Sequence, residues 1–267
     1  MSRIAKIYQI YYDDVSRAEL DGQFIPYFNE AGSKYFESQV ILDLHDRGEM
    51  QDCEYFGVVS YRIWQKASQV NTIEAMISAD SMHHDYYYVG NPCNYTQVWK
   101  WPEMLMKCDL TSWTEVLLNR LGYRVNLREL NTPGSFYNYQ ICKSELYRQY
   151  VDEMLQPMID LMNDTENQAL QDWINTKVNY IRCKPPKKVY SQTFCAIIAL
   201  FPAGTRDTLM RYTANIYAAN RLIHNPAFAE RLKSITGFPY YTKHTFIAEM
   251  LFPTYAAIKG WKGKQFG

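Results

Sequence analysis

The stretch EYFGVVSYRIWQK, residues 54–66, decides the fold. Residues 55–59 form a short run of aromatic and β-branched side chains with no polar alternation, the pattern of a strand buried on both faces. Polarity returns at once at Ser60-Tyr61-Arg62. In an open α/β sheet, chemistry gathers just beyond such carboxyl ends of strands.

Working outward, the pattern repeats. Residues 4–12, which contain KIYQIYY, read as a first strand closed by Asp13-Asp14, and residues 86–89 as another closed by Gly90-Asn91-Pro92. Between and after them the apolar spacing lengthens to a helical period over 34–45, over 63–77 with a break near Val70, and over 97–106 and 114–121. A strand or turn is expected at 123–127. Strands alternating with helices predict an α/β fold with a mostly parallel sheet. Beyond Gly134 the character changes. Residues 139–142 are the last segment that reads as a strand, and helices are expected over 143–162, 170–181, 190–201, 209–223 and 227–235. KHTFIAEMLFPTY, residues 243–255, adds a helix whose apolar face carries Glu249 at its margin. The expectation is an α/β region over 1–142 and a helical region over 143–267 that folds back on it as one compact unit.

Composition narrows the function classes. The chain of 267 residues is 47% apolar, enough for a sizeable core without metal or disulfide staples. Lys+Arg and Asp+Glu are both 28, so there is no polyanion signal over the whole molecule. Charge is uneven locally: residues 173–206 hold Lys177, Arg182, Lys184, Lys187, Lys188 and Arg206 and no acid. Such a patch attracts phosphate groups, although solvated loop lysines give the same pattern. The six cysteines form no CxxC pair, no signal-peptide pattern precedes the first strand, and the longest apolar run is about half of what a bilayer requires. A cytoplasmic protein with reduced thiols and no membrane insertion is expected.

Motifs for a P-loop, a dinucleotide fingerprint, a nucleophile elbow and a zinc protease are all absent. His83, His84 and Asp85 stand together, but neighbours on a strand point apart, so no metal site is expected there.

In order along the chain, several segments resemble a family of bacterial capsular-polysaccharide glycosyltransferases with a GT-A-like nucleotide-sugar fold. They are Tyr8-Gln9-Ile10-Tyr11-Tyr12, the segment from Tyr35-Phe36-Glu37 to Leu44, Tyr55 to Arg62 as a "YxGxxxYR" strand edge, Phe136-Tyr137-Asn138-Tyr139, and Phe246 to Phe252 as a "GFxxERLF"-type helix. Two positions depart from the pattern: Ser60 replaces the histidine usual before the YR pair, and Met250 breaks the final ERLF. More loosely, the chain is similar to phage sugar transferases that act on hydroxymethylcytosine in DNA. The resemblance implies a GT-A-like mostly parallel sheet followed by a helical C-terminal half. It also implies a nucleotide-diphosphate sugar as donor, with a divalent cation (Mn or Mg) usual in such enzymes, and DNA or a surface glycan as acceptor. The Asp-x-Asp motif that usually holds the cation is absent.

That chemistry assigns roles to residues. Arg62, with Lys66 and Ser60, would neutralise the leaving diphosphate, since a guanidinium grips phosphate oxygens bidentately and stays charged. Tyr8, Gln9 and Tyr11 would take the nucleotide base by stacking and hydrogen bonding; a plain core strand reads the same way. Glu249 is the candidate base for the acceptor hydroxyl, with Asp85 in reserve. Asn138, Lys184, Lys187, Lys188, Lys243 and His244 are the candidate acceptor contacts. A non-catalytic sugar- or nucleotide-binding module remains the reading from another class.

Overall fold

The computed structural model describes residues 3–30, 33–66, 73–80, 82–89, 99, 103, 108–131, 139–178 and 226–266. Their centre is a six-stranded sheet, built from β1 (Arg3–Tyr11), β2 (Ile25–Phe28), β3 (Cys53–Ser60), β4 (Tyr86–Val89), β5 (Gln140–Lys143) and β6 (Gly263–Phe266), in the order β2-β1-β3-β5-β4-β6. β1 pairs in parallel with β2 and β3, and β4 in parallel with β6. β5 runs antiparallel to both of its neighbours, β3 and β4. The α/β class read from the sequence is therefore the class observed.

β3 lies in the middle, and all but one of its residues are buried, as its unbroken apolar run requires. Gly57 lets β5 approach: a Cβ there would stand 2.7 Å from the Ile141 side chain and 3.1 Å from the Gln140 carbonyl. The helices are α1 (Asp14–Arg17), α2 (Glu37–Asp46), α3 (Ile63–Lys66), α4 (Ile73–Ala79), α5 (Ser112–Arg120), α6 (Ser144–Tyr150), α7 (Gln156–Met162), α8 (Gln168–Ile174), α9 (Pro226–Thr236) and α10 (Lys243–Lys259). A π-helical turn, Val151–Leu155, joins α6 to α7. Strand alternation divides the core. Tyr8, Ile10, Phe56 and Val58 face a large apolar cluster with α2, α6, α7 and α10. Ala5, Ile7, Tyr55 and Val59 face a smaller one with Ile63 of α3 and Ile73 and Ile77 of α4.

α10 is the buried helix of the molecule. Every residue from Lys243 to Ala256 is buried except Glu249, which is half-buried. It ends on a left-handed Gly260 (φ 70°), with the Trp261 amide returning to the Ala256 carbonyl at 2.9 Å. Pro253 lies inside it and cannot supply the amide that would otherwise meet the Glu249 carbonyl.

Several elements depart from the sequence reading. β6 lies near the end of the chain, so residues 139–142 are not the last strand. β5, at the former boundary, is inserted between β3 and β4, and α10 packs in the same core as the sheet, so residues on both sides of 142 build one sheet and one core. β2 and α1 were not anticipated, and 123–127 carries no strand. The helices expected over 190–201 and 209–223 lie outside the described residues, as does most of 97–106. Among the described residues no helix is long and apolar enough to cross a membrane, and Cys53, Cys108 and Cys142 are free thiols.

Candidate active site

The strand order reverses at β1. The chain passes from β1 to β2 on one side, then crosses back to β3 on the other. In open α/β sheets ligands bind outside the carboxyl ends of the strands that flank such a reversal, here β1 and β3. Ile10 and Ser60 are register partners there, and the Tyr61 amide donates to the Ile10 carbonyl at 3.0 Å as the last rung before the strands part.

Beyond that rung lies a cluster of aromatic and polar side chains. The hydroxyls of Ser60 and Tyr139 are 2.5 Å apart, and the Arg62 amide donates to Ser60 Oγ at 3.3 Å. Tyr12 meets the Tyr61 ring edge-on at 6.2 Å. Burial pushes the Tyr12 phenol well above its ordinary pKa, and Glu37, Tyr139, Tyr61 and Tyr241 add to the shift, which places all four around it. Arg62 is exposed, with its guanidinium over the Tyr61 ring at 5.0 Å. Among the described residues it forms no ion pair. Lys66 closes α3 four residues further on.

Asp13 follows directly after β1. It caps α1, accepting from the Ser16 amide and hydroxyl at 2.7 Å each, and pairs with Arg231 of α9 at 2.7 Å. Those Ser16 hydrogen bonds, with Arg231, hold its carboxyl below the usual range despite partial burial. Tyr11 packs its ring on Phe28 of β2 at 5.2 Å, and Phe28 is 49% exposed, so the pair offers an open aromatic surface at the same edge.

The other expected residues divide clearly. Gln9 is fully buried; its Oε1 accepts from the Asp21 amide at 2.7 Å, while Nε2 has no hydrogen-bond partner. Asp21 in turn accepts from Trp64 Nε1 at 2.8 Å. Tyr8 points the other way: its ring lies between Tyr27 and Phe56, and its hydroxyl donates to Glu49 at 2.6 Å. Asp85 precedes β4, which runs in the same direction as β3, so it lies at the amino ends of these strands, away from Arg62. Its carboxylate accepts from Lys143 Nζ at 3.0 Å and from the Lys262 amide at 2.8 Å, tying β4, β5 and β6 together. Burial raises the Asp85 pKa, but the Lys262 amide and Lys143 outweigh it and leave the carboxyl lowered.

Lys243 is buried, donates to the Trp173 carbonyl at 2.6 Å and stands 4.7 Å from that indole ring. His244 is buried beside it, Nδ1 3.0 Å from Thr242 Oγ1 and its ring edge-on to Tyr35 at 5.5 Å. Burial, then the charge of Lys34, lowers its pKa to about 3, so the imidazole is neutral. Glu249 lies five residues on from His244, about 7.5 Å further along α10 at ~1.5 Å per residue. Asn138, Lys184, Lys187 and Lys188 lie outside the described residues.

Ser60 and Arg62 thus stand together just beyond β3, and Tyr11 closes β1 on its β2 side; Gln9 is enclosed against Asp21, and Tyr8 and Asp85 are engaged elsewhere. Tyr12, Glu37 and Tyr139 gather near Ser60 and Tyr61 as well; the sequence places them in the resembling segments but assigns them no role. A separate cavity of about 510 Å³, lined by Ala5, Ile7, Phe24, Ile73 and Glu74, lies on the α4 face. Gln23 lines it as well, so two polar side chains, Gln23 and Glu74, face otherwise apolar walls, and each accepts a backbone amide, Ile73 and Ala5 respectively. No protein-family model, no curated protein and no solved structure matches this chain.

Proposed function

We propose that this chain is a nucleotide-sugar-dependent glycosyltransferase on a GT-A-like sheet. It moves one sugar onto an acceptor hydroxyl, and the acceptor favoured here is hydroxymethylated cytosine in phage DNA, modified in the host cytoplasm. The observation that carries the reading is Arg62: an exposed guanidinium without an ion-pair partner among the described residues, held at the switch point beside Tyr61. A cation so placed meets the charge that develops on a departing diphosphate.

In this reading Tyr11 and Phe28 stack on the base or sugar of the donor, and Gln9 supplies the amide that reads the base edge. Arg62 and Lys66 hold the diphosphate. The bond from the anomeric carbon to the diphosphate oxygen breaks with its electron pair going to the diphosphate. The acceptor oxygen forms the new bond to that carbon, and its proton passes to Glu249. Among the described residues no three His, Cys, Asp or Glu side chains stand together as a metal site, so no step is routed through a cation. The acid-free basic stretch over 173–206 supports a polyanionic acceptor.

The test is incubation with a panel of nucleotide sugars, with and without hydroxymethylcytosine DNA, with manganese or with EDTA. Released nucleotide and DNA mass are measured. Sugar-dependent gain in DNA mass supports the reading; nucleotide release without that gain moves the acceptor to a surface glycan. A second reading, a non-catalytic sugar- or nucleotide-binding module, is favoured by the engagement of Asp85 in the sheet, which leaves Glu249 as the one candidate base. Donor binding with no turnover of any donor would select it.

A further inference from the structure

We infer that the amino end of α10, together with Lys34 and His244, is a binding site for a phosphate-bearing ligand. α10 is a 17-residue helix with no side-chain cap and no acid in its first turn. The Thr242 hydroxyl stands at the cap position but faces His244 Nδ1, so it satisfies none of the first-turn amides. A helix amino end in that state carries a partial positive charge and free N–H groups, which favour an anion.

Two further observations point the same way. Lys34 is half-buried, and among the described residues it forms no ion pair. Its ammonium stands 5.3 Å from the Tyr35 ring, whose edge contact with His244 is 5.5 Å, and its carbonyl accepts from Thr245 Oγ1 at 2.9 Å. A partly desolvated cation is thus fixed against the first turn of α10 with no anion opposite it. The second observation is His244 itself. The ring meets Tyr35 edge-on and lies within the field of the Lys34 charge, and with Nδ1 turned to Thr242 the remaining ring nitrogen is Nε2. It is fully buried and has no partner. A buried imidazole nitrogen left unsatisfied is costly and calls for a hydrogen-bonding group.

The charged groups around the site favour an anion as well. Lys243 adds a second cation on the same turn, with Asp109 within its field and its ammonium turned to the Trp173 carbonyl. Glu37 is the acid on the neighbouring α2, and it faces Tyr12. The residue before it, Phe36, is held at φ 46° and ψ −118°, a strained conformation for an aromatic residue, while packing on Tyr241 at 6.0 Å. That this phosphate belongs to the same nucleotide-sugar diphosphate that Arg62 and Lys66 meet rests on the glycosyltransferase reading; that the ligand carries phosphate does not.

Calorimetric titration with inorganic pyrophosphate tests the site, on the wild-type chain and on Lys34→Met. The wild type should bind, and the variant should bind at least tenfold more weakly while melting no lower than wild type without ligand. In ¹⁵N-histidine-labelled wild type, the His244 Nε2 resonance should shift on adding pyrophosphate. No binding by the wild type, equal binding by Lys34→Met, or an unmoved His244 resonance overturns the site. Displacement of pyrophosphate by a nucleoside diphosphate supports the donor assignment; displacement by a DNA duplex alone overturns it. Pyrophosphate binding without turnover of any donor leaves the site standing and removes the glycosyltransferase reading. Unaltered donor turnover in Lys34→Met, with pyrophosphate binding weakened, leaves the phosphate site standing and overturns its assignment to the donor.

Discussion

The hydroxyls of Ser60 and Tyr139 meet at 2.5 Å, linking the carboxyl end of β3 to the residue just before the antiparallel strand β5. Both residues are buried. Tyr139→Phe removes one partner and leaves Ser60 with a long contact to the Arg62 amide. The expected loss is about 1 kcal/mol in urea unfolding, and the turn that carries Arg62 loosens. Donor affinity should fall with it; unchanged affinity would separate this link from the donor site.

Gly57 governs the approach of the same two strands. Gly57→Ala sets a methyl group against Ile141 and the Gln140 carbonyl. Destabilisation of about 1–3 kcal/mol is expected from overpacking, read as a lower denaturation midpoint with the slope unchanged. A neutral result would mean that β3 and β5 can move apart freely.

His244 gives the ligand-free protein a pH signature. Its folded-state pKa of about 3 lies below the ordinary value of 6.5. Above pH 6.5 the group is neutral in both states and stability is flat. As pH falls from there toward 3, the unfolded chain takes a proton that the folded one refuses, and stability declines. Between pH 6.5 and 4.5 the loss should be about 2–3 kcal/mol, from 1.36 kcal/mol per pH unit. The carboxylates act lower. Glu153, held down to about 2 by hydrogen bonds from Lys259, Tyr255 and Gln149, contributes stability above its ordinary 4.5 that is lost as pH falls toward 2. His244→Phe should therefore remove the decline above pH 4.5 and leave the one below it.

The two candidate carboxylates should separate in kinetics. Glu249→Gln is expected to lower turnover by about 10²–10⁴-fold with donor affinity kept. Asp85→Ala removes the acceptor shared by Lys143 and the Lys262 amide. It should cost about 1–3 kcal/mol of stability with turnover per folded molecule unchanged. Reversal of that pattern would move the base to Asp85.

The fold was legible where local pattern and tertiary role agree. β1, β3 and β4 are aromatic and β-branched runs that end at polar or turn residues, and they are strands. β2 was missed because Ile25–Phe28 alternates half-buried with exposed residues and holds Pro26, tolerable only because this strand lies at the sheet edge. β6, Gly263–Phe266, has almost no apolar signal; pairing with β4 and the Asp85 clamp make it a strand. At the site, Ser60-Tyr61-Arg62 was readable from an abrupt change of polarity. Tyr139, 79 positions away, and Lys34, against α10, come into place only through packing. Lys243 and His244 were read as acceptor contacts from the first turn of a helix; they are in that turn, but buried, with Lys243 against Trp173 and His244 against Tyr35.

The placement of β6 bears on synthesis. β4 is complete by residue 89, yet its two neighbours in the sheet are β5, some fifty residues later, and β6, near residue 265. A chain leaving the ribosome therefore carries β4 with both hydrogen-bonding edges open while some fifty further residues are made, and with one edge open for about 120 residues more. Open edges on a nascent chain invite pairing with other chains. Slow translation or crowded ribosomes should thus lower the soluble yield of this protein through β4, independently of how stable the finished molecule is.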